Sequence, residues 1–286
     1  MVPPGDDAAV LPDGTAITAD TLVEGVHFDD RLSAADVGFK AVAVSASDLA
    51  AMGATPTWMV LCLSVPALTS PSWVEDFGIG LGQAAEQFSV SLIGGDTTGS
   101  PGPRIATITM GGGCVADPIR RDGGAPGDVL WVTGQLGLAG AGWILADPPL
   151  AALAHLRRPQ PPVSFALALA RAGLPSAMMD LSDGLAADLP RLCVASGCGA
   201  QVDPDALPAP VSLRGRPDQL RLMVGGGEDY ELLFASSPDA SANIQRLAAS
   251  SGVQVTAIGN LTGGSGLGLG AEVWPEPSFR HFGDDR

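Results

Sequence analysis

Apolar positions along this chain recur with two periods, and the first half alternates between them. Residues 15 to 23, TAITADTLV, place β-branched or apolar residues at every second position and predict a strand. An irregular EGVHFDDRLS leads into a helix expected to begin near Ala34. From Asp36 to Met52, DVGFKAVAVSASDLAAM is small or apolar nearly all round, which predicts a buried helix that stops at Gly53 with Pro56 just beyond. PTWMVLCLSVP predicts a central strand, and SPSWVEDFGIGLGQAAEQFS an amphipathic helix capped by Ser70 or Ser72. VSLIGGDTTGS reads as a strand breaking into a glycine turn, and RIATITMGGGCV as a further strand.

A Gly/Pro-rich stretch, RRDGGAPGD at 120 to 128, is the expected boundary between a domain at 1–122 and another at 123–286. Beyond it DVLWVTG is a strand and QLGLAGAGWILA a glycine turn and helix, followed by a Pro-rich loop and a helix near 163 to 173. AMMDLSDGLAADLPRLCVASG predicts a strand running into a helix, MVGGGEDYELLFAS a glycine turn and strand, SANIQRLAASSG a helix, and VQVTAIGNL a strand. GGSGLGLGAEVW resembles a dinucleotide fingerprint only superficially, because no helix or ribose-binding acid follows it, and reads as a turn before a last strand.

A length of 286 residues suits two domains, and no apolar run approaches the roughly 18 residues of a membrane span. The opening MVPPGDD lacks the basic and apolar regions of a secretion signal, so a cytoplasmic location is expected. Cys62, Cys114, Cys193 and Cys198 form no C-x-x-C pair and read as reduced thiols rather than zinc ligands. A net charge of −16 argues against nucleic acid and anionic membrane as partners. The basic residues include a single lysine, Lys40, which excludes a G-x-x-x-x-G-K-[ST] phosphate loop and a V-A-I-K kinase strand. If phosphates are handled here, something other than lysine neutralises them.

Four segments share one design, an apolar element followed by Asp and then Gly, Thr or Ser: GDDAAV, TADT, GGDTT and DLSDGL. Asp48, inside the buried helix, is a fifth such acid, and a carboxylate there needs a partner because desolvation costs several kcal/mol. Magnesium is the chemical answer, since it takes carboxylate oxygens supplemented by hydroxyls and substrate phosphates. Any one station taken alone also has the composition of a turn or a helix cap, and Asp188 reads as an acid facing water.

GDDAAV, TADTLVEGVHF, FKAVAVSASDLAAMGATP, LIGGDTT, GDVLWVTGQLG, DLSDGLAADL, GGGEDYELLF and the terminal FRHF, in that order over nearly the whole chain, resemble the thiamine-monophosphate kinase family. The resemblance implies a two-domain α+β or α/β fold of the aminoimidazole ribonucleotide synthetase type, with the N-terminal sheets of two protomers joining into a barrel in a homodimer. It implies ATP-dependent phosphorylation of thiamine monophosphate to thiamine diphosphate, with several magnesium ions. The metal ligands it implies are Asp7, Thr18, Asp20, Asp48, Asp96, Asp180 and Asp183, with Asp48, Asp96 and Asp180 central to catalysis. ATP falls to Gly95, Asp96, Arg121 and Ser182, and thiamine phosphate to His27, Glu228 and the ring of Phe279. Without the resemblance, His27 reads as a hydrogen-bonded loop histidine, Glu228 as a surface acid and Phe279 as a core residue; His155 and His281 have no assigned role. Three departures stand out: a longer helical lead before GDD in relatives, Ala19 where many have a hydroxyl, and Asp122 after Arg121 in place of a small residue. The alternatives are another ATP-using enzyme of the superfamily, or a nucleotide- and metal-binding module inactive for want of that lead.

Overall fold

The computed structural model describes residues 1–2 and 5–277, so Phe279 lies outside the described residues. The chain divides into two compact units, Met1–Pro118 with Arg157–Val163, and Ile119–Leu156 with Ser164–Arg286.

The first unit runs β1 (Ala9–Val10), β2 (Thr15–Val23), α1 (Ala34–Ala51), β3 (Ala54–Pro66), α2 (Pro71–Gln87), β4 (Ser91–Ser100) and β5 (Ile105–Cys114). Its sheet has the order β1-β2-β5-β3-β4, antiparallel except for the parallel β3–β4 pair that α2 connects. β3 is thus hydrogen-bonded on both edges, although it lies next to the sheet's edge rather than at its middle. α1 starts with a capping box, in which Asp36 N–H donates to Ser33 Oγ and Ser33 N–H to Asp36 Oδ2. Its small residues have a packing reason. A Cβ on Gly38 would sit 2.1 Å from the Phe77 carbonyl of α2, and one on Gly80 would sit 1.7 Å from the Ala35 carbonyl of α1. The two helices cross with backbones nearly touching, and burying Phe77 in that crossing contributes roughly 1.5–3 kcal/mol. The short return Arg157–Val163 is tied to α1 by Arg158, whose Nε lies 2.9 Å from Asp36 Oδ1 and whose guanidinium lies over the Phe39 ring.

The expected glycine turn at GGDTT is instead continuous strand. Gly94 to Thr98 pair residue by residue with Val60 to Ser64 of β3. Gly95 is needed for close approach, not for a bend, because a Cβ there would lie 2.0 Å from the Leu61 carbonyl.

The second unit contains β6 (Val129–Thr133), α3 (Leu138–Ile144), α4 (Leu150–Arg157), α5 (Val163–Ala172), β7 (Ala177–Asp180), α6 (Leu185–Ser196), β8 (Gly199–Val202), α7 (Gln219–Gly225), β9 (Leu232–Ser236), α8 (Ser241–Ser251), β10 (Val255–Thr262), β11 (Leu267–Leu269) and β12 (Glu272–Val273). Its sheet has the order β12-β11-β8-β10-β6-β9-β7, antiparallel apart from β8–β11. α6 and the inner strand faces share one core, which includes Leu130, Val132, Met179, Leu189 and Leu233. The expected Pro-rich loop before α5 contains α4, because Pro149 opens a helix instead of preventing one. Its carbonyl accepts from Ala152 N–H at 2.9 Å and Leu153 N–H at 3.1 Å. Among the described residues no helix is long and apolar enough to cross a membrane.

Candidate active site

In the first unit the alternation of β2 decides which side chains meet α1. Ala16, Thr18 and Leu22 are buried, so the even positions face inward, and Asp20 shares that face. Thr18 Oγ1 donates to Asp48 Oδ2 at 2.5 Å, which supplies a partner for the acid inside α1. Carboxylate oxygens of Asp7 and Asp48 come within 4.8 Å of each other. Asp20 also contacts the side chains of Asp48 and Ser45 and lies in the field of Asp7, while its Oδ2 is buried without a hydrogen-bond partner. Burial, with the neighbouring Asp7 adding to it, holds the Asp20 carboxyl above the usual range. Facing carboxylates are stable together only with a shared proton or a cation between them. An oxygen-only set with one shielded, unsatisfied oxygen fits a hard divalent ion.

The other predicted residues of this unit lie on different elements. Val23 N–H donates to His27 Nδ1 at 3.1 Å, so the ring proton resides on Nε2. The turn carrying His27 is held by buried Lys40, whose Nζ donates to the His27 carbonyl at 3.0 Å, and by Glu24, which accepts from Arg104 N–H at 2.9 Å. Gly95 and Asp96 are exposed on β4.

In the second unit the structure joins two motifs that are separate in sequence. β7 ends at Asp180, which is buried, and the loop 181–184 then starts α6. That loop is laced to 226–231 by Glu228 N–H to the Ser182 carbonyl at 2.7 Å, Tyr230 N–H to Leu181 O at 2.9 Å, and Leu181 N–H to Glu231 O at 2.8 Å. Asp180, Ser182, Asp183 and Glu228 therefore lie on one pair of interlocked loops. Asp183 Oδ2 is 2.6 Å from Arg191 Nη2. Asp188, expected to face water, is fully buried: one oxygen accepts from Asp183 N–H at 3.0 Å and the other from Arg191 Nη1 at 2.6 Å. The expectation failed because Asp188 caps the loop that precedes its own helix. Glu228 is half-buried, not a surface acid, and the Trp143 indole N–H donates to its carboxylate. Arg121 is half-buried with its carbonyl bonded to Ser196 Oγ, and Asp122 pairs with Arg120 at 3.1 Å.

Residues 5–116 match the model described as AIR synthase related protein, N-terminal domain, and residues 125–272 match its C-terminal counterpart. A thiamine-monophosphate kinase of Salmonella typhimurium is 39% identical over 277 residues, covering 90% of this chain and 83% of that protein. The chain belongs to the thiamine-monophosphate kinase family. The crystal structure of thiamine-monophosphate kinase from Stenotrophomonas maltophilia superposes with a TM-score of 0.83 at 39% identity, covering 96% of this chain and 92% of that one. The structure of AaThiL complexed with AMPPCP and TMP superposes with a TM-score of 0.87 at 28% identity, covering 97% and 91%. The two-domain α/β architecture expected for the thiamine-monophosphate kinase family is thereby shown for this member.

Sequence reasoning missed the acids that support Glu228 in this member of the thiamine-monophosphate kinase family. Asp229 is buried and accepts from Gly137 N–H at 2.6 Å and Ala139 N–H at 3.2 Å, and the His155 Nε2–H donates to its carbonyl at 3.0 Å. Thr133 Oγ1 donates to Glu231 Oε2 at 2.5 Å and accepts from Leu232 N–H at 2.8 Å. Burial pushes Glu231 up to about 8 and Asp229 up to about 6. Both carboxyls bind a proton more tightly when folded. Their stabilising contribution is full below the ordinary carboxylate range and is lost as pH rises through the folded values. Between about 6 and about 8 the slope belongs to Glu231, so urea unfolding midpoints are expected to fall over that window and Glu231→Gln to flatten the fall. A parent and variant with equal slopes would contradict this assignment.

Proposed function

We propose that the protein transfers the γ-phosphoryl group of ATP to the phosphate of thiamine monophosphate, forming thiamine diphosphate and ADP. Membership of the thiamine-monophosphate kinase family supports the reaction, and the relative complexed with AMPPCP and TMP supports the pair of reactants. The observation that carries the reading for this chain's own residues is the shielded, unsatisfied Asp20 Oδ2 among Thr18, Asp48 and Asp7. An unsatisfied carboxylate oxygen in a chain with a single lysine supports a cation as its partner.

Asp7, Thr18, Asp20, Asp48 and Asp96 of the first unit, and Asp180 and Asp183 of the second, are the proposed magnesium ligands. Bound magnesium supplies the charge neutralisation that an in-line transfer between two anionic reactants requires. Gly95, Asp96, Arg121 and Ser182 are assigned to ATP, with the Arg121 guanidinium suited to phosphate oxygens. His27, its proton on Nε2, is a donor for the substrate phosphate, and Glu228 is an acceptor for the cationic, amino-bearing heterocycles. Phe279 keeps its proposed stacking role from the family pattern. A homodimer through the first unit is proposed as well, supported by the exposed apolar residues Leu92 and Ile93 on the edge strand β4. A cytoplasmic location accords with four free cysteines.

Incubation with ATP, magnesium and thiamine monophosphate is expected to yield thiamine diphosphate and ADP in equal amounts, read by chromatography. ADP released without thiamine diphosphate would defeat the proposal.

A further inference from the structure

Glu228 occupies a backbone conformation that L-residues disfavour, with φ of 68°, and Tyr230 two residues later has φ of 49°. Such geometry persists only where neighbours over-determine it. Part of the restraint is the lacing to Ser182 and Leu181, and the rest comes from α3. Asp229 is bonded to the first N–H groups of that helix, at Gly137 and Ala139. Further along the same helix, the half-buried Trp143 reaches back and donates its indole N–H to Glu228 Oε2. Two consecutive acids thus clasp one short helix, Asp229 at its start and Glu228 near its end. Asp229 fixes the loop to the helix, and Trp143 fixes the carboxylate.

We infer that Trp143 is a positioning residue for recognition of the thiamine heterocycles, orienting the Glu228 carboxylate through its indole N–H. The inference rests on the assignment of Glu228 to the substrate. An indole N–H is a donor only, so it engages the Glu228 side chain through an acceptor oxygen and fixes the direction in which the carboxyl group points. Held by a ring with two side-chain torsions, the carboxylate loses little further freedom when a cationic, amino-bearing ring system binds.

The test compares Trp143→Phe, Glu228→Gln and the double variant in steady-state kinetics. Trp143→Phe keeps an aromatic ring but removes the donor together with part of the ring's bulk, and the KM for ATP and kcat report any general effect of that lost packing. The variant is expected to raise KM for thiamine monophosphate about tenfold, the worth of one hydrogen bond to a charged group, with KM for ATP and kcat within about threefold of the parent. The double variant is expected to be no worse than Glu228→Gln alone, because the two act as one unit. An unchanged KM for thiamine monophosphate in Trp143→Phe, alongside a raised KM in Glu228→Gln, overturns the inference and leaves the substrate assignment standing. Equal increases in both KM values, or additive losses in the double variant, also overturn it, because they show a structural effect. An unchanged KM in Glu228→Gln removes Glu228 from the substrate site and the inference with it.

Discussion

Asp20→Asn is expected to lower kcat by at least about 10³-fold while raising the stability of the metal-free protein by about 1 kcal/mol. The two effects have one cause. In the absence of a cation, the Asp20 carboxyl is shielded, faces Asp48, and has an oxygen with no hydrogen-bond partner. Replacing it by an amide removes the cost of ionising that group and provides N–H donors for Asp48 and the Ser45 hydroxyl, both already in contact. A cation would lose a charged ligand by the same change, and with it the neutralisation of the transferring phosphoryl group. Magnesium titration followed by thermal unfolding separates the contributions. The parent gains stability with added magnesium through linkage, and Asp20→Asn gains much less. A variant that keeps parental kcat, or responds to magnesium as the parent does, would show that Asp20 is a structural acid.

The part of this site that was legible from sequence is local in origin. β2 and α1 announce themselves by period, and the period places Thr18 and Asp20 on the inward face and Asp48 inside the helix. The small residues of α1 signalled burial correctly, although their cause is the Gly38 and Gly80 crossing with α2, a contact between segments far apart in sequence. GGDTT was misread because Gly and Asp favour turns locally, while pairing with β3, thirty-odd residues away, extends the strand. DLSDGL and GGGEDYE were each recognised, but nothing in their spacing says that the two loops are hydrogen-bonded to each other. The acids next to Glu228 were overlooked for the same reason. Asp229 and Glu231 acquire their character from Gly137, Ala139 and Thr133, residues on other elements. Asp188 did leave a sequence signal: Arg191 follows it at i+3, the spacing of a helical ion pair.

That ion pair carries the second large effect, and its asymmetry predicts which partner matters more. The Asp188 side chain is completely buried, while the Arg191 side chain is 47% exposed. Removing the acid leaves a guanidinium that water can reach and that still pairs with Asp183 at 2.6 Å. Removing the arginine leaves a carboxylate inside the protein without the cation bonded to it. Arg191→Leu is therefore expected to destabilise the second unit by about 3 kcal/mol, against about 1 kcal/mol for Asp188→Asn, whose amide oxygen still accepts the Asp183 N–H. Adding Asp188→Asn to Arg191→Leu is expected to recover most of the loss, since the charge that needed compensation is gone. Urea unfolding of the three variants measures all of this directly. Equal costs for the two single changes, or no recovery in the double variant, would mean that the contact stabilises by shape and not by charge. The ordering matters for the site because Arg191 binds both Asp183 and Asp188. It thereby couples the stability of α6 to the position of an acid proposed to hold magnesium, so Arg191→Leu is expected to weaken magnesium-dependent turnover even at temperatures where the fold survives.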